Sequence, residues 1–266
     1  MNIKRTRSFG LCLAAVLTLS ACAATSAAAE LPEFKVCSKA TKVGKAYTGR
    51  YDNETCSVID AESEGKYELR SWEAAKKKTF RSKGEPAIFD SYIQGFGIVG
   101  TVTCKYSRGS GQLIGPKEVT TTLTFSKCRS GGEYCTSEGQ KAGTIETAPL
   151  TETFLLTRFG EANTLVDAIK PHEGDPFFTM SCGAESVRTT GSVIGEVIGD
   201  INVISRTWTE SFSVNAVGEE VPQEVEQEPG VKHILLTEVV DVGTFGSAMA
   251  LTDTVRGESL ELETEA

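Results

Sequence analysis

The sequence is poor in the residues that most often carry hydrolytic chemistry or bind zinc. It has only two histidines, His172 and His233, among 266 residues. It contains no Cys-x-x-Cys pair and no Gly-x-Ser-x-Gly motif. The first absence argues against a zinc site built from paired cysteines, and the second argues against a hydrolase with a nucleophile elbow. The sequence motifs therefore predict no metal site and no cofactor.

Long apolar runs are also scarce. The run Phe9–Leu19 is too short to span a bilayer as a permanent helix. It follows three basic residues and precedes a run of small residues, which is the layout of a secretory signal peptide over residues 1–29. Leu19-Ser20-Ala21-Cys22 also resembles a bacterial lipobox, which makes Cys22 a candidate for lipidation. The two alternatives predict an extracellular protein or one tethered to the outer face of the membrane.

Basic residues are outnumbered once the leader is removed. Residues 30–266 carry 24 Lys and Arg against 36 Asp and Glu, a net charge of −12. Such a surface repels nucleic-acid phosphates and anionic lipids. We therefore expect no nucleic-acid partner, and we expect membrane contact only through a lipid anchor at Cys22. The partner predicted instead is an unknown cell-surface or extracellular ligand, and the oligomeric state stays open.

Six cysteines lie outside the leader, an even number that predicts disulfides in an exported chain. Six cysteines allow fifteen connectivities. Pairing of nearest neighbours predicts Cys37–Cys56 and Cys128–Cys135, which leaves Cys104–Cys182 as a long-range bond. A bond that closes the 37–56 loop would stabilise the fold by roughly 3 kcal/mol on the chain-entropy model.

The region from residue 97 to 135 shows the prevailing pattern of the chain. It is interpreted as a strand over Ile98–Tyr106, a Gly/Ser-rich loop over Ser107–Pro116 and a second strand over Glu118–Phe125. In the second strand alternate residues are suited to one buried face. They are Val119, Thr121, Leu123 and Phe125.

Short β-prone runs separated by turn residues predict an all-β fold with little helix. Trp72–Lys78 is the one segment where two helical turns compete with strand. A disulfide-pinned antiparallel β-sandwich is the first choice, and a closed or partly open β-barrel is the second. Residues 30–266 are expected to form a single domain, with an acidic solvated loop near 218–230 and final strands that join the main fold.

Two motifs suggest chemistry but have simpler explanations. Gly95–Gly100 matches Gly-x-Gly-x-x-Gly, yet β-formers follow where a dinucleotide site needs a helix. The glycines are interpreted as marking a bulge or a close approach in a strand. His172 lies near Glu173 and Asp175 in a Pro-bounded loop, which would suit a metal or acid–base chemistry. A solvated loop is the favoured interpretation, and His233 is expected to be structural.

Several blocks of the sequence together resemble a known group. The blocks are Cys37, Tyr47-Thr48-Gly49, Cys56, Gly65–Leu69, Gly97–Gly100, Cys104, Gly115–Glu118, Phe125, Cys128, Cys135, Gly143–Thr147 and Gly191–Gly195. With these blocks the chain resembles exported, cysteine-bearing proteins that some soil actinobacteria carry in several copies. The resemblance covers most of residues 35–200 and implies export and a disulfide-pinned fold. It implies no activity, cofactor or catalytic residue.

These observations favour an exported, non-enzymatic β-module with a structural or binding role at the cell surface. The alternative is an exported hydrolase that uses a carboxylate pair, possibly on glycans. Such a pair is defined in space and has no sequence signature. A third possibility, an inhibitor or toxin-like partner, would require a protruding disulfide-braced loop at 105–117 or 128–135.

Overall fold

A computed structural model describes residues 32–72, 78–159, 162–199 and 202–263. The predicted leader, Cys22 and residues 73–77 of the helix candidate lie outside the described residues. All regular secondary structure in the described ranges is β-strand. None of these residues therefore forms a helix with the length and apolar character needed to cross a membrane. The strands are β1 (Glu33–Lys39), β2 (Lys42–Val43), β3 (Ala46–Tyr47), β4 (Tyr67–Ser71), β5 (Thr79–Gly84), β6 (Ala87–Ile93), β7 (Gly97–Cys104), β8 (Tyr106–Leu113), β9 (Glu118–Ser126), β10 (Arg129–Ser130), β11 (Glu133–Thr136), β12 (Thr144–Glu146), β13 (Leu150–Phe159), β14 (Ala162–Pro171), β15 (Phe178–Cys182), β16 (Glu185–Gly191), β17 (Val193–Ile198), β18 (Ser205–Val214), β19 (Glu220–Val221), β20 (Leu235–Val239) and β21 (Gly243–Glu263).

Eight strands close into an antiparallel barrel. The cyclic order is β5-β8-β9-β13-β14-β17-β18-β21, and β21 pairs back with β5. The all-β prediction is confirmed. The structure corrects the first choice of a sandwich, because this sheet closes on itself and so leaves no edge strand within the ring. We call this ring the acidic barrel, after four carboxylates described below.

A second ring of antiparallel pairings runs β6-β7-β10-β11-β15-β16-β20-β21 and returns to β6. One side of this ring is thinly paired. β7 and β10 share only the pair Thr103↔Arg129, and β11 and β15 share two pairs. We call this ring the disulfide barrel, because two disulfides cross these two junctions.

The long strand β21 belongs to both barrels. Its first part, Gly243–Ala250, pairs with β20 and β6 in the disulfide barrel. From Leu251 onward it pairs with β18 and β5 in the acidic barrel. Its end pairs with β1, which with β4 forms a short additional sheet. The residues after the acidic segment therefore supply strands to the main fold, as the sequence indicated.

Alternation places apolar side chains inside the barrels. In β9 the predicted face is confirmed, because Val119, Thr121, Leu123 and Phe125 are all buried. Phe125 packs edge-to-face against Phe89, with ring centroids 4.9 Å apart. Phe89 belongs to the disulfide barrel and Phe125 to the acidic barrel, so this contact lies where the two interiors meet. Burial of large aromatic side chains of this kind dominates core energetics.

The predicted Gly/Ser-rich loop over Ser107–Pro116 is wrong for most of its length, because residues 106–113 form β8. Ser107, Gly109 and Gly111 face the barrel interior, where neighbouring atoms come close. A Cβ at Gly109 would lie 2.3 Å from Ser82 Oγ, and one at Gly111 would lie 2.4 Å from Phe80 Cζ. The composition that suggested a loop therefore reflects lack of space inside a narrow barrel.

The disulfides are Cys37–Cys56, Cys104–Cys128 and Cys135–Cys182. The first was predicted correctly, and the predicted Cys128–Cys135 and Cys104–Cys182 bonds are wrong. Strand pairing explains the difference. Tyr106 pairs with Ser126, so the β8–β9 hairpin brings the residues just beyond its ends together, and Cys135 pairs directly with Cys182. The two bonds join β7 to the start of β10, and β11 to β15.

The acidic segment 218–230 is not the fully solvated loop that its composition suggested. Glu220 is buried in β19, and Val225 packs on the outside of the acidic barrel. Val225 forms a small apolar cluster there with residues of β13, β14 and β17. The Gln227 side chain also accepts a hydrogen bond from the Leu156 backbone N–H at 2.5 Å. A few apolar anchors thus hold a largely charged segment against the sheet.

Candidate functional site

A cavity of about 220 Å³ lies in the interior of the disulfide barrel. Its walls come from β6, β7, β15, β16, β20 and β21. Phe89 and Phe178 are buried and line it, with ring centroids 5.1 Å apart in an edge-to-face arrangement. Met180, Val187, Val239 and Phe245 add further apolar wall. Small barrels of eight strands have room for packed side chains or for one small ligand.

The hydroxyl groups that line the cavity are largely engaged within the protein. Thr189 and Thr237 hydrogen-bond each other at 3.0 Å. Thr101 donates to Asp90 Oδ1 at 2.6 Å, and Ser247 donates to the Asp90 carbonyl oxygen at 2.9 Å. Because these groups already have partners, the walls offer a cavity occupant mostly carbon surface.

The cavity opens where the disulfide barrel is least complete. One edge of β7 pairs with β6, and at the other edge Thr103 pairs with β10. Within this described region, the backbone of Gly97–Val102 therefore has no paired strand at the edge that faces β10. Val99 and Gly100 line the cavity from β7, and Ser130 lines it from β10. Val99 and Val242, both lining residues, are largely exposed, so the opening has an apolar rim.

A cluster of carboxylates lies in the interior of the acidic barrel. Glu152 is on β13, Asp167 on β14 and Glu210 on β18, and all three are at most 5 % exposed. One carboxylate oxygen from each lies within 4.8 Å of the others. Asp253 of β21 lies opposite Glu210 in the pairing of β18 with β21. Its carboxylate accepts hydrogen bonds from Ser82 at 2.8 Å and Ser107 at 2.5 Å.

When no cation is bound, the environment of the cluster favours the protonated, neutral form of each carboxyl group. Burial raises the pKa of Glu210 to about 7, against the lowering effect of a hydrogen bond from Trp208 Nε1 at 2.7 Å. Burial and the charge of Glu210 raise the pKa of Glu152. The pKa of Asp167 is raised by burial and by Glu152 and Glu210. The charges acting on each carboxyl are negative, so each ionisation opposes the next.

The two histidines of the sequence do not belong to a buried cluster of this kind. His172, Glu173 and Asp175 lie on an exposed turn between β14 and β15, closed by a hydrogen bond from Asp175 N–H to the His172 carbonyl oxygen. His233 is buried and makes hydrogen bonds to Ser192 at 3.1 Å and Glu228 at 2.9 Å. His233 therefore fastens the acidic segment to the β16–β17 connection, a structural role as expected.

The Gly-x-Gly-x-x-Gly segment contributes to a hairpin and to the cavity. Gly95 and Gly97 adopt φ values of 83° and 90° at the β6–β7 turn, where the register shifts between Ser91 and Tyr92. The register shift fits the predicted bulge, and Gly95 and Gly97 lie at the turn itself, which was not predicted. Gly100 lies farther along β7 at the cavity wall, where a Cβ would have no heavy atom within 4 Å.

Sequence reasoning missed the acidic cluster, although a signal existed. Each of the four carboxylates occupies the centre of an apolar stretch with a spacing of two. The triplets are Leu150-Glu152-Phe154, Leu165-Asp167-Ile169, Trp208-Glu210-Phe212 and Leu251-Asp253-Val255. An acid between two large apolar residues of the same strand face is placed in a core. No signal in the sequence shows that four such positions meet.

Comparisons with known proteins returned no relative. No protein-family model, no curated protein and no solved structure matches this chain.

Proposed function

We propose that this protein is an exported, non-enzymatic binding module that holds a small, largely apolar molecule in the disulfide barrel. The observation that carries the proposal is the open cavity lined by Phe89, Phe178, Met180 and Val239. Binding sites of β-barrels commonly lie in their mouths, with apolar walls and a few polar groups. The wider role as a cell-surface module follows from export together with this site.

The volume limits the size of the ligand. A buried cavity of about 150 Å³ is enough for benzene. The cavity here measures about 220 Å³, so it suits a substituted single ring or a short branched hydrocarbon. The net charge of −12 over residues 30–266 and Glu185 at the lining disfavour an anionic ligand. A neutral molecule of that size is the proposed class.

Three disulfides are consistent with export, since such bonds persist in oxidising compartments. Export through the leader is part of the proposal, with release at Glu30 or tethering through Cys22 as its two forms. Intact mass of protein recovered from its natural host separates the forms, because lipidation adds acyl chains to Cys22. A chain that retains Met1 and an unprocessed leader would contradict both.

The acidic cluster does not support the hydrolase alternative. Glu152, Asp167 and Glu210 are enclosed by the acidic barrel, where a sugar ring has no access to them. The inhibitor alternative required a protruding loop at 105–117 or 128–135. Most of the first is strand β8 inside the sheet, and the second is the β10–β11 hairpin of the disulfide barrel. Neither alternative is favoured by a specific observation.

The binding proposal is tested with toluene as the probe and saturation-transfer NMR as the readout. Native protein is expected to give a saturable signal with toluene and a much weaker one with benzoate, which has similar size but a negative charge. Val239→Trp should abolish the toluene signal, because the larger side chain extends into the cavity.

The matched control is Leu236→Trp, which places the same side chain on the exposed face of the same strand. It should leave toluene binding within about twofold of native, and circular dichroism should show both variants folded. Absence of toluene binding to native protein would refute the proposal. So would equal binding by native protein and a folded Val239→Trp variant.

A further inference from the structure

The acidic cluster is an unusual interior for a barrel. Glu152 and Asp167 lie on the adjacent strands β13 and β14, and Glu210 reaches the same point from β18. The residue of β17 that pairs with Asp167 is Gly195, so no side chain separates β14 from β18 there. A Cβ at Gly195 would come within 2.6 Å of the Phe212 ring. The three carboxylates thus meet because the intervening strand β17 has a glycine, which lacks a side chain, at this position.

A second observation concerns Asp167 itself. Both of its carboxylate oxygens are buried and have no hydrogen-bond partner, and the residue is 0 % exposed. Its cross-strand partner on β13 is the apolar Phe154. A buried carboxylate without a partner is costly, and structures normally satisfy such groups with a hydrogen bond, water or an ion. Asp167 therefore places two unpartnered carboxylate oxygens beside Glu152 and Glu210.

We propose that Glu152, Asp167 and Glu210 bind one divalent cation inside the acidic barrel, with Ca²⁺ as the ion that fits best. Oxygen atoms on opposite sides of a Ca²⁺ ion lie about 4.6–5.2 Å apart, twice the Ca–O distance. The 4.8 Å limit on the separations in the cluster is compatible with a shared ion. This proposal is independent of the ligand cavity in the disulfide barrel.

Three features favour Ca²⁺ over other ions. All the donors are carboxylate oxygens, which suit Ca²⁺, Mg²⁺ and Mn²⁺ more than zinc or copper. Ca²⁺ accepts bidentate carboxylates and six to eight oxygen ligands, whereas Mg²⁺ retains several waters. Ile169 and Val197 pair across strands with Glu152 and Glu210, so apolar neighbours limit the room for bound water.

The test uses metal-free protein, because a buried site exchanges its ion slowly. Full-length protein with its disulfides intact is unfolded in guanidinium with chelator, refolded without metal, and divided among Ca²⁺, Mg²⁺ and Mn²⁺. At 1 mM, Ca²⁺ is expected to raise Tm by at least about 5 °C, as linkage predicts for micromolar affinity. Mg²⁺ should raise it less. One Tb³⁺ per chain should give luminescence sensitised by Trp208, whose indole is hydrogen-bonded to Glu210.

The decisive variant is Asp167→Asn, which keeps the size of the side chain and removes a ligand charge. It should remain folded and lose both the Ca²⁺ shift and the Tb³⁺ signal. Asp175→Asn, the same change on the exposed turn, should retain both. Trp208→Phe should lose most of the sensitised emission, because it removes the indole that is hydrogen-bonded to Glu210.

Absence of a Tm shift with all three cations, together with absence of Tb³⁺ emission, would overturn the proposal and leave protons as the occupants of the cluster. Retention of the full Ca²⁺ shift by Asp167→Asn would overturn it as well.

Discussion

The two barrels share a strand and have the same number of strands, yet they are closed by different means. In the acidic barrel each neighbouring pair of strands has at least three paired residues, and β13 and β14 have ten. In the disulfide barrel the junctions at β7–β10 and β11–β15 have one and two paired residues. The Cys104–Cys128 and Cys135–Cys182 bonds lie at those junctions. Covalent bonds replace hydrogen bonds where the ladder is short.

The difference extends to the interiors. In the acidic barrel Gly109 and Gly111 are needed because side chains of neighbouring strands come close. The disulfide barrel retains a cavity with an opening beside the thinly paired strands. Because few residues pair at the β7–β10 and β11–β15 junctions, the cavity can be reached from outside. The two disulfides limit how far these strands can separate. Under the proposed function, the acidic barrel supports a second barrel whose cavity holds the ligand.

The largest expected effect comes from Cys135→Ala with Cys182→Ala. This bond closes a loop of 47 residues, so its loss should reduce stability by about 4 kcal/mol on the chain-entropy model. Hydrogen exchange followed by mass spectrometry should show loss of protection in β15 and β16. Protection in β13 and β14 should change little.

The control for this pair is Cys37→Ala with Cys56→Ala, which removes the bond that anchors β1. It should leave exchange in β15 and β16 at the native level. Equal loss of protection in both barrels after the Cys135/Cys182 change would show that they unfold as one unit, and the proposed contrast would fail.

The next effect is the pH dependence of the metal-free protein. Glu210 has a folded pKa of about 7, above its ordinary value of 4.5, in an interior that also contains Glu152, Asp167, Asp253 and the Trp208 N–H. Its stabilising contribution is complete below pH 4.5 and is lost as pH rises through 7. The shift corresponds to a loss on the order of 3 kcal/mol. Urea unfolding with chelator from pH 4.5 to 8 measures it.

Glu210→Gln is the matched variant, because glutamine keeps an oxygen to accept the Trp208 hydrogen bond and carries no charge. It should reduce this decline in stability. His233 acts in the opposite direction, since burial lowers its pKa and stability is lost as pH falls below 6.5. An equally steep decline in native protein and Glu210→Gln would contradict the assignment.

The smallest effect compares Gly111 in the acidic barrel with Gly100 at the wall of the cavity in the disulfide barrel. Gly111→Ala should destabilise by roughly 1–3 kcal/mol, because the new Cβ would lie 2.4 Å from Phe80 Cζ and from the Thr120 carbonyl oxygen. Gly100→Ala should change stability by less than about 0.5 kcal/mol, since no atom lies within 4 Å of its added Cβ. Thermal unfolding of both variants tests the contrast. Similar costs would indicate that the disulfide barrel is as tightly filled as its neighbour.

The class of fold was predictable from local pattern, because alternation and turn residues are local properties. The buried face of β9 followed directly from Val119, Thr121, Leu123 and Phe125. β8 was missed because its glycines and serines are weak strand formers. Their placement depends on Ser82 and Phe80 of the neighbouring strand β5, which is distant in sequence, so local sequence does not describe the contact.

The sites were less predictable than the fold. The even cysteine count indicated disulfides, but partners such as Cys135 and Cys182 are set by the pairing of β11 with β15. The acidic cluster required closure of a barrel before Glu152 and Glu210 could meet. Ring closure is a long-range event, and neither residue carries a local signature of it.

The shared strand β21 has a consequence for how the chain matures. Residues 243–256 lie C-terminal to every partner that they complete, in both rings. Neither ring can close until this segment has been synthesised. In the proposed exported form it must also reach the compartment of the preceding strands, and until then those strands have open edges that expose them to aggregation or to mispaired thiols. Assistance by chaperones and thiol oxidoreductases would matter most in that interval.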